Sequence, residues 1–514
     1  MKPQFKAKAA SGRQRKAFSN LTSAGSADAQ RLLMQALTHH QQGQMALAQI
    51  GYEQVLAIDP QHFDALHMLG VLASQTQHAE RAVELIQQAI RIKPGVAGAY
   101  VNLGVALRQL QRFEEALACY DQALQLEPQD VQTQTNRGVV LRSLRRYNEA
   151  LQCYTTALRL APNLAQAYYN RGLVHNDLNL LSEAIQDFET TVQLMPSYHP
   201  ARWAQALCLL QLGEFAKAWP LYALRWQQDE KEFTSQSLRS SVPIWQSGMT
   251  PARLLVWPEQ GVGDELMFGA LLPQAQTLCQ HLLVQIDARL MPMFQRSMPG
   301  ISFVPKHQPL DESAYDAHLS MGDLASVFCQ AEQNFAAISP AYVRAELERV
   351  QTLRAQLNPD GQRLCGISWR SKNLKKGQDR SFPLVDMLRA LNAPGVRFVN
   401  LQYGDVTQEL AQAQQSLGIE VLQCQSVDNQ NDLDGLAALI QACDLVVSAD
   451  NSTVHLAGAL GQTVWVLLPF NADWRWLLDR EDSVWYPSAK LFRQTQLGDW
   501  QDVLVRVGEE LQKR

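Results

Sequence analysis

The sequence predicts an α-helical solenoid followed by an α/β region of two lobes, and three observations predict it. A spacing of 34 residues recurs through the first half. Strand-like and helix-like segments alternate through the second half, in two successive series. The 514-residue length exceeds what one hydrophobic core organises, while 46% hydrophobic and 18% charged residues are ordinary for a globular chain.

The period comes first. Pro60, Pro94, Pro128, Pro162 and Pro196 keep it, as do Gly70, Gly104, Gly138 and Gly172. So do Ala48, Ala82, Ala116, Ala150, Ala184 and Ala218, and the bulky series Tyr52, Ile86, Tyr120, Tyr154, Phe188 and Tyr222. Each unit reads as two helices. The Gly and Ala positions permit close approach, the bulky residue fills the gap, and Pro stops the second helix. Six units span residues 27–230. The sixth deviates, with Glu230 in the Pro position and Trp219-Pro220 inside its second helix, as expected where a terminal unit meets another domain.

This pattern resembles the tetratricopeptide repeat, which implies a concave binding surface. Asn102, Asn136 and Asn170 each stand two residues before a repeat Gly, with Met68 and Ala204 at the flanking positions. Amides offer both donor and acceptor, so such a ladder holds an extended peptide whatever its sequence. The ladder resembles that of the nucleocytoplasmic O-GlcNAc transferases, which hold protein substrates on stacked Asn side chains. The alternative is that Asn merely suits a solvated inner face.

Residues 1–26 read as a disordered basic tail: Lys, Arg, Ser, Ala and Gly predominate and no acid precedes Asp28. Without an apolar stretch this is no secretory signal, and a transit peptide is the competing reading. No apolar run is long enough to span a bilayer. A formal charge of −5 gives no basic surplus for nucleic acid. The eight cysteines lack metal-ligand or disulfide-framework spacing, which fits a reducing cytoplasm and no metal site.

A polar linker (231–250) leads to an N-terminal lobe (251–360) and a C-terminal lobe (361–514), each expected to hold a parallel sheet with helices on both faces. Ligands of such sheets bind beyond the carboxyl ends of the strands. That rule selects three loops. Residues 258–265, "PEQGVGDE", offer Gly261 and Gly263 for close backbone approach. Asp264 there either caps its helix or acts as a general base. Residues 369–381 carry Arg370, Lys372, Lys375, Lys376 and Arg380, which read as a solvated loop or as phosphate contacts. Residues 448–455 open a helix through Asp450, Asn451, Ser452 and Thr453, with His455 one turn on. Capping explains part of this, and an anion at the helix start explains more.

Taken together, "GVGDELMFGALLP", "SWRSKNLKKGQDRSFPL" and "SADNSTVHLAGALGQTVWVLL" resemble, in order, three motifs of the two-lobed GT-B nucleotide-sugar transferases. The likeness is strongest to the heptosyltransferase-like family in its repeat-fused bacterial form, whose tail "NADWRWLLDREDSVWYPS" also resembles. The resemblance implies Asp264 as catalytic base. It implies a donor site at Asp450, Asn451, Ser452, Thr453 and His455, with Arg370, Lys375, Lys376, Arg380, Gly261 and Gly263 around it. Asn451 departs from the family, which usually has Thr there. The expected activity is metal-independent transfer of a sugar to a hydroxyl of a protein held by Asn102, Asn136 and Asn170. The nucleotide sugar is then a co-substrate and no cofactor is expected. Two alternatives stand: an inactive scaffold that binds a nucleotide sugar or protein partner, and a transferase acting on a glycan or lipid-linked acceptor. Homo-oligomerisation through the repeats is left open.

Overall fold

The computed structural model describes residues 12–227, 237–372 and 377–513. Two compact units divide it, Met1–Val174 and His175–Arg514. The division therefore falls inside the repeat series rather than at the change of pattern near residue 230.

The first unit is built of helices. Gly12–Gln41, Met45–Ile58, Phe63–Gln75, Ala79–Ile92, Ala97–Gln109, Phe113–Leu126, Val131–Ser143 and Tyr147–Leu160 pack in consecutive pairs. The first helix starts at Gly12, inside the stretch expected to be a tail, and residues 1–11 lie outside the described ones. The repeat Gly does what the period implied. A Cβ on Gly70 would lie 2.5 Å from Ile86 Cγ1, and one on Gly104 or Gly138 would lie 2.6 Å from the ring of Tyr120 or Tyr154. Each of these three repeats thus buries a bulky side chain of its second helix directly against the backbone of its first. A further register becomes visible in the turns within the repeats. Gly43, Gln77, Gln111, Arg145, Asn179 and Gly213, spaced by 34, all adopt positive φ between 57° and 77°. Four of them are not glycine, so tertiary packing holds a conformation that the residue type disfavours.

The second unit begins with the last repeat helices, Leu181–Leu194, His199–Gln211 and Phe215–Tyr222. Phe215, Trp219 and Tyr222 join one continuous core with Leu254, Phe268, Trp474 and Trp485 of the α/β region. Trp219 also donates its indole N–H to the Cys329 carbonyl at 2.7 Å. This burial explains the irregular sixth repeat: its outer face is an interior face. Just beyond it, Arg225 is 0% exposed. It pairs with Glu259 at 2.5 Å and Asp323 at 2.8 Å, anchoring the loop that follows the first strand.

Strands β1 (Arg253–Trp257), β2 (His281–Ile286), β3 (Ser302–Pro305) and β4 (Ala317–Ser320) form a parallel sheet of order β3-β2-β1-β4. Of the expected linker, residues 237–250 are described, and Ile244 bridges to His318 on β4. Strands β5 (Arg363–Ser368), β6 (Val396–Asn400), β7 (Val421–Leu422), β8 (Leu445–Ala449), β9 (Val464–Leu468) and β10 (Ala489–Arg493) form a second parallel sheet, ordered β10-β9-β8-β5-β6-β7. Both sheets reverse their winding beside their first strand, between β1 and β4 and between β5 and β8. The crevice outside such a switch point is where an open α/β sheet receives ligands.

Candidate functional site at the two switch points

The three loops selected from sequence all lie at these reversals: after β1, after β5 and after β8. Asn451 is the N-cap of the helix Ser452–Ala459, its Oδ1 accepting the Thr453 N–H at 2.9 Å. Its Nδ2 donates to Ser368 Oγ at 2.8 Å and to the Arg370 carbonyl at 3.0 Å. One amide therefore caps the helix and ties the loop after β8 to the loop after β5. A threonine hydroxyl has one proton to donate and could not make all three bonds. Gln402, beyond β6, completes this join. Its Oε1 accepts from Ser368 Oγ at 3.0 Å and from the backbone N–H of Trp369 and of Arg370, each at 2.9 Å. Ser452 is half-buried in the helix's first turn, and Thr453 is fully buried beside it.

Asp450 is 2% exposed and faces inward. It accepts the Trp476 indole N–H at 3.0 Å and pairs with Arg380 at 3.0 Å. Arg380 reaches Asp473 at 3.3 Å, Asp473 reaches Arg475 at 2.5 Å, and Arg475 pairs with Asp264. A row of alternating charge, Asp450–Arg380–Asp473–Arg475–Asp264, thus runs from the helix start after β8 to the helix start after β1. Three carboxylates face two guanidiniums, and the two Asp neighbours of each Arg hold it charged. Burial works against the charge of Arg475, but Asp264 and Asp473 outweigh it and raise its pKa. The same balance holds at Arg380 with Asp450 and Asp473.

His455 lies where the two helix starts meet. A Cβ on Gly263 would stand 3.0 Å from His455 Cδ2, so a larger residue there would separate the loops. Gly261 is the N-cap of the helix Val262–Gly269 and has open space beside it. The His455 ring stacks on Trp476, with centroids 5.5 Å apart, and its Nδ1 lies 2.9 Å from the Tyr486 hydroxyl. Tyr342, packed on the same buried side, donates its proton to the Leu266 carbonyl at 2.8 Å. Burial, then the charge of Arg475, pushes the imidazole down to about 4, so it is neutral near pH 7.

The basic loop is less available to an anion than its composition implied. Arg380 belongs to the buried row. Arg370 pairs with Glu409 at 3.2 Å and donates to the Asp405 carbonyl at 2.6 Å. Lys372 is exposed and donates to Gln430 Oε1 at 3.2 Å. Lys375 and Lys376 lie outside the described residues. Beyond the ends of β6 and β7, a cavity of about 410 Å³ is lined by polar side chains including Asn400, Gln402, Asn429 and Gln430. Asn102 and Asn136 are half-buried and Asn170 is buried, at equivalent positions of successive first helices. Asn102 bonds His67 at 2.8 Å, while Asn136 and Asn170 accept from Gln132 and Gln166 at 3.2 and 3.3 Å. Arg475, Asp473, Trp476 and Tyr486 were not singled out from sequence. Their signal is the density of Trp, Arg and Asp in residues 471–486. Among the described residues no group of three His, Cys, Asp or Glu side chains is arranged to hold a metal ion. Nor is any helix there long and apolar enough to cross a membrane.

Fold and repeats define the class: an N-terminal tetratricopeptide-repeat solenoid followed by an α/β domain with two parallel sheets. Tetratricopeptide-repeat family models match residues 29–62, 63–95, 97–130 and 165–198, and a TPR-repeat model matches residues 140–179. Among curated proteins, Protein FlbA of Caulobacter vibrioides is 31% identical over 332 residues. That alignment takes in 60% of this chain and 54% of FlbA, so the chain spans about half the length of this relative. It is longer than the whole repeat series, so the likeness runs into the α/β region. Solved structures similar to the chain include YrrB, described as a TPR protein with an unusual peptide-binding site (20% identity, 37% of this chain and 98% of that one, TM-score 0.33). Others are Pseudomonas aeruginosa PilF (20%, 41% and 94%, TM-score 0.35) and MamA of Desulfovibrio magneticus (20%, 31% and 91%, TM-score 0.30).

Proposed function

We propose that the chain is a glycosyltransferase of the two-lobed nucleotide-sugar type, moving a sugar onto a hydroxyl of a protein acceptor that its repeats bind. The observation that carries this reading is the charged row joining both switch points, with Asp264 at one end and the Asn451-capped helix at the other. In this reading the donor diphosphate sits at the start of the helix Ser452–Ala459. The helix dipole favours negative charge there. Lys372, and the expected Lys375 and Lys376, supply mobile positive charge. The cavity beside β6 and β7 offers amide donors and acceptors to the nucleoside.

The transfer step follows. The acceptor oxygen attacks the anomeric carbon and its proton passes to Asp264. The carbon–oxygen bond to the diphosphate breaks, and the departing diphosphate keeps the electron pair. Fixed dipoles at the helix start and nearby cations stabilise the charge that develops on it. The neutral His455 imidazole exchanges a hydrogen bond with a hydroxyl of the bound donor. Asn102, Asn136 and Asn170 hold the acceptor's backbone.

Purified protein incubated with a panel of nucleotide sugars tests this by donor hydrolysis and by calorimetric binding. Asp264→Asn should abolish turnover and leave nucleotide affinity within about threefold. Failure of every nucleotide sugar to bind would sink the reading. One observation favours a second reading, a scaffold that binds the nucleotide sugar without turning it over: Arg475 already occupies the Asp264 carboxylate. Binding without turnover of any donor or acceptor selects that reading.

A further inference from the structure

The amide row of the first unit runs on into the two repeats before it, and there its chemistry changes. Met34 and Met68 stand where the later repeats have Asn102, Asn136 and Asn170. Met34 is 56% exposed and Met68 is half-buried. Three residues further along each first helix, on the same side, a second row keeps the period. It consists of Leu37, Val71, Val105, Val139 and Leu173, every one half-buried. Consecutive first helices lie side by side, so both rows are continuous. His40 meets Gln75 at 2.8 Å across the first pair of helices. Across the next pair Ser74 bonds Gln109 at 3.0 Å and His67 bonds Asn102 at 2.8 Å. The face therefore has two parts. From the third repeat onward an amide accompanies each apolar residue, whereas in the first two repeats Met accompanies Leu or Val.

The two parts hold a partner differently. An amide bonds backbone whatever the sequence. Met cannot do so, but its unbranched, polarisable side chain adapts to large apolar groups of varied shape. Residues 32–41 and 65–75, which carry the two methionines, contain no Lys, Arg, Asp or Glu. A charged partner side chain would find no counter-charge among them. Exposure alone would mean little, as Leu47 shows. It is 49% exposed on the second helix of the first repeat, but its row elsewhere is Arg81, Glu115 and Glu149, each in an exposed ion pair. Met34 differs because an apolar neighbour continues its row and the amides then extend it. Helices pack about 10 Å apart and an extended chain rises about 3.3 Å per residue, so each repeat meets about three residues of such a partner.

We propose that the repeats recognise an unstructured, low-charge protein segment by an apolar anchor. A Leu, Met or Phe side chain of the partner seats against Met34, Leu37, Met68 and Val71, and its backbone continues along the amide row from Asn102. The anchor supplies register to a row that by itself reads no sequence. This deepens the acceptor site proposed above and rests on that part of the reading alone. Fluorescence anisotropy of the full chain with labelled peptides of about 15 residues, without any nucleotide sugar, tests it. The host peptide contains Ser, Thr, Ala and Gly. Variants carry Leu at two alternate positions near the N-terminal or the C-terminal end, or Lys at those same positions. At least one leucine peptide should bind about tenfold or more tighter than the host, and no lysine peptide should. Met68→Asn, which lengthens the amide row, and Met34→Asp should each cut that gain at least about threefold, and Leu47→Asp should leave it unchanged. Met34 is more than half exposed, so Met34→Asp decides the matter if Met68→Asn fails to fold. The proposal is overturned if leucine adds nothing over the host, if lysine adds as much, if the gain survives both methionine substitutions, or if Leu47→Asp abolishes it. Anchored binding with no sugar transfer to any acceptor would count against the transferase and leave the anchor standing, and transfer without leucine preference would do the reverse.

Discussion

Asp264, in the first turn of the helix after β1, is ion-paired with Arg475, on the loop between β9 and β10. The two residues stand 211 positions apart in the chain and belong to different sheets. Both are mostly withdrawn from water, with side chains 21% and 13% exposed, so their attraction is only partly screened. Arg475 also meets Gln260 Oε1 at 3.3 Å and stacks its guanidinium on Trp474. It is therefore the residue that fixes where the Asp264 carboxylate points.

The pair should show measurable coupling. Asp264→Asn and Arg475→Gln, alone and combined, form a double-mutant cycle read by urea unfolding. We expect an interaction energy of about 1 to 3 kcal/mol, as for contacting groups in one network. Additivity within about 0.5 kcal/mol would show that Arg475 does not position Asp264.

Asn451→Thr should destabilise the protein by about 1 to 3 kcal/mol in the same assay, because it abandons buried partners at Ser368 and the Arg370 carbonyl. Asn451→Asp should keep the cap but face two acceptors with a charge, and we expect it to be no better tolerated. Wild-type stability in Asn451→Thr would mean that the join between the loops after β5 and β8 contributes nothing.

His455 makes stability depend on pH in a defined direction. Its pKa falls from 6.5 to about 4 on folding. The unfolded chain therefore binds the proton first as pH drops. The contribution is complete above about pH 6.5 and is lost progressively towards pH 4, amounting at most to about 3 kcal/mol. Comparing wild type with His455→Gln by urea unfolding at pH 7.5 and pH 5 isolates it. The variant's stability should fall less between the two pH values, and parallel losses would count against a neutral buried imidazole.

In the repeats, Gly138→Ala should destabilise by about 1 to 3 kcal/mol, since its Cβ would enter the Tyr154 ring. Tyr154→Leu in the same chain should recover part of that loss by removing the clash. Gly98→Ala, at a position with open space, serves as control and should be nearly neutral. Equal effects of Gly98→Ala and Gly138→Ala would show that helix propensity, not packing, governs these sites.

Much of the architecture was legible because repetition and alternation are local signals. The 34-residue period located the helix pairs, and runs such as "RLLVW" and "DLVVSA" located β1 and β8. Two strands carry only a weak local signal. In β4 the run "AHLS" is too short to show alternation, and in β10 "AKLFR" alternates like a surface segment although Ala489, Leu491 and Phe492 are buried. The candidate loops were legible as well, because polar turns at the ends of apolar strands follow from topology. Their partnerships were not. Arg370 and Arg380 look like free cations in the sequence, yet each is neutralised by a carboxylate, Glu409 for one, Asp450 and Asp473 for the other.

By itself the sequence determined the repeat array, the two α/β series and the three loops at strand ends, because each depends on residues close together in the chain. Tertiary structure alone decided that the last repeat is buried against the α/β core. It also decided that Asn451 joins two loops, that Arg475 holds Asp264, and that Arg380 sits buried between Asp450 and Asp473. The physical reason is the same in each case. Burial and pairing join groups tens to hundreds of residues apart, and only the folded chain fixes which charge meets which.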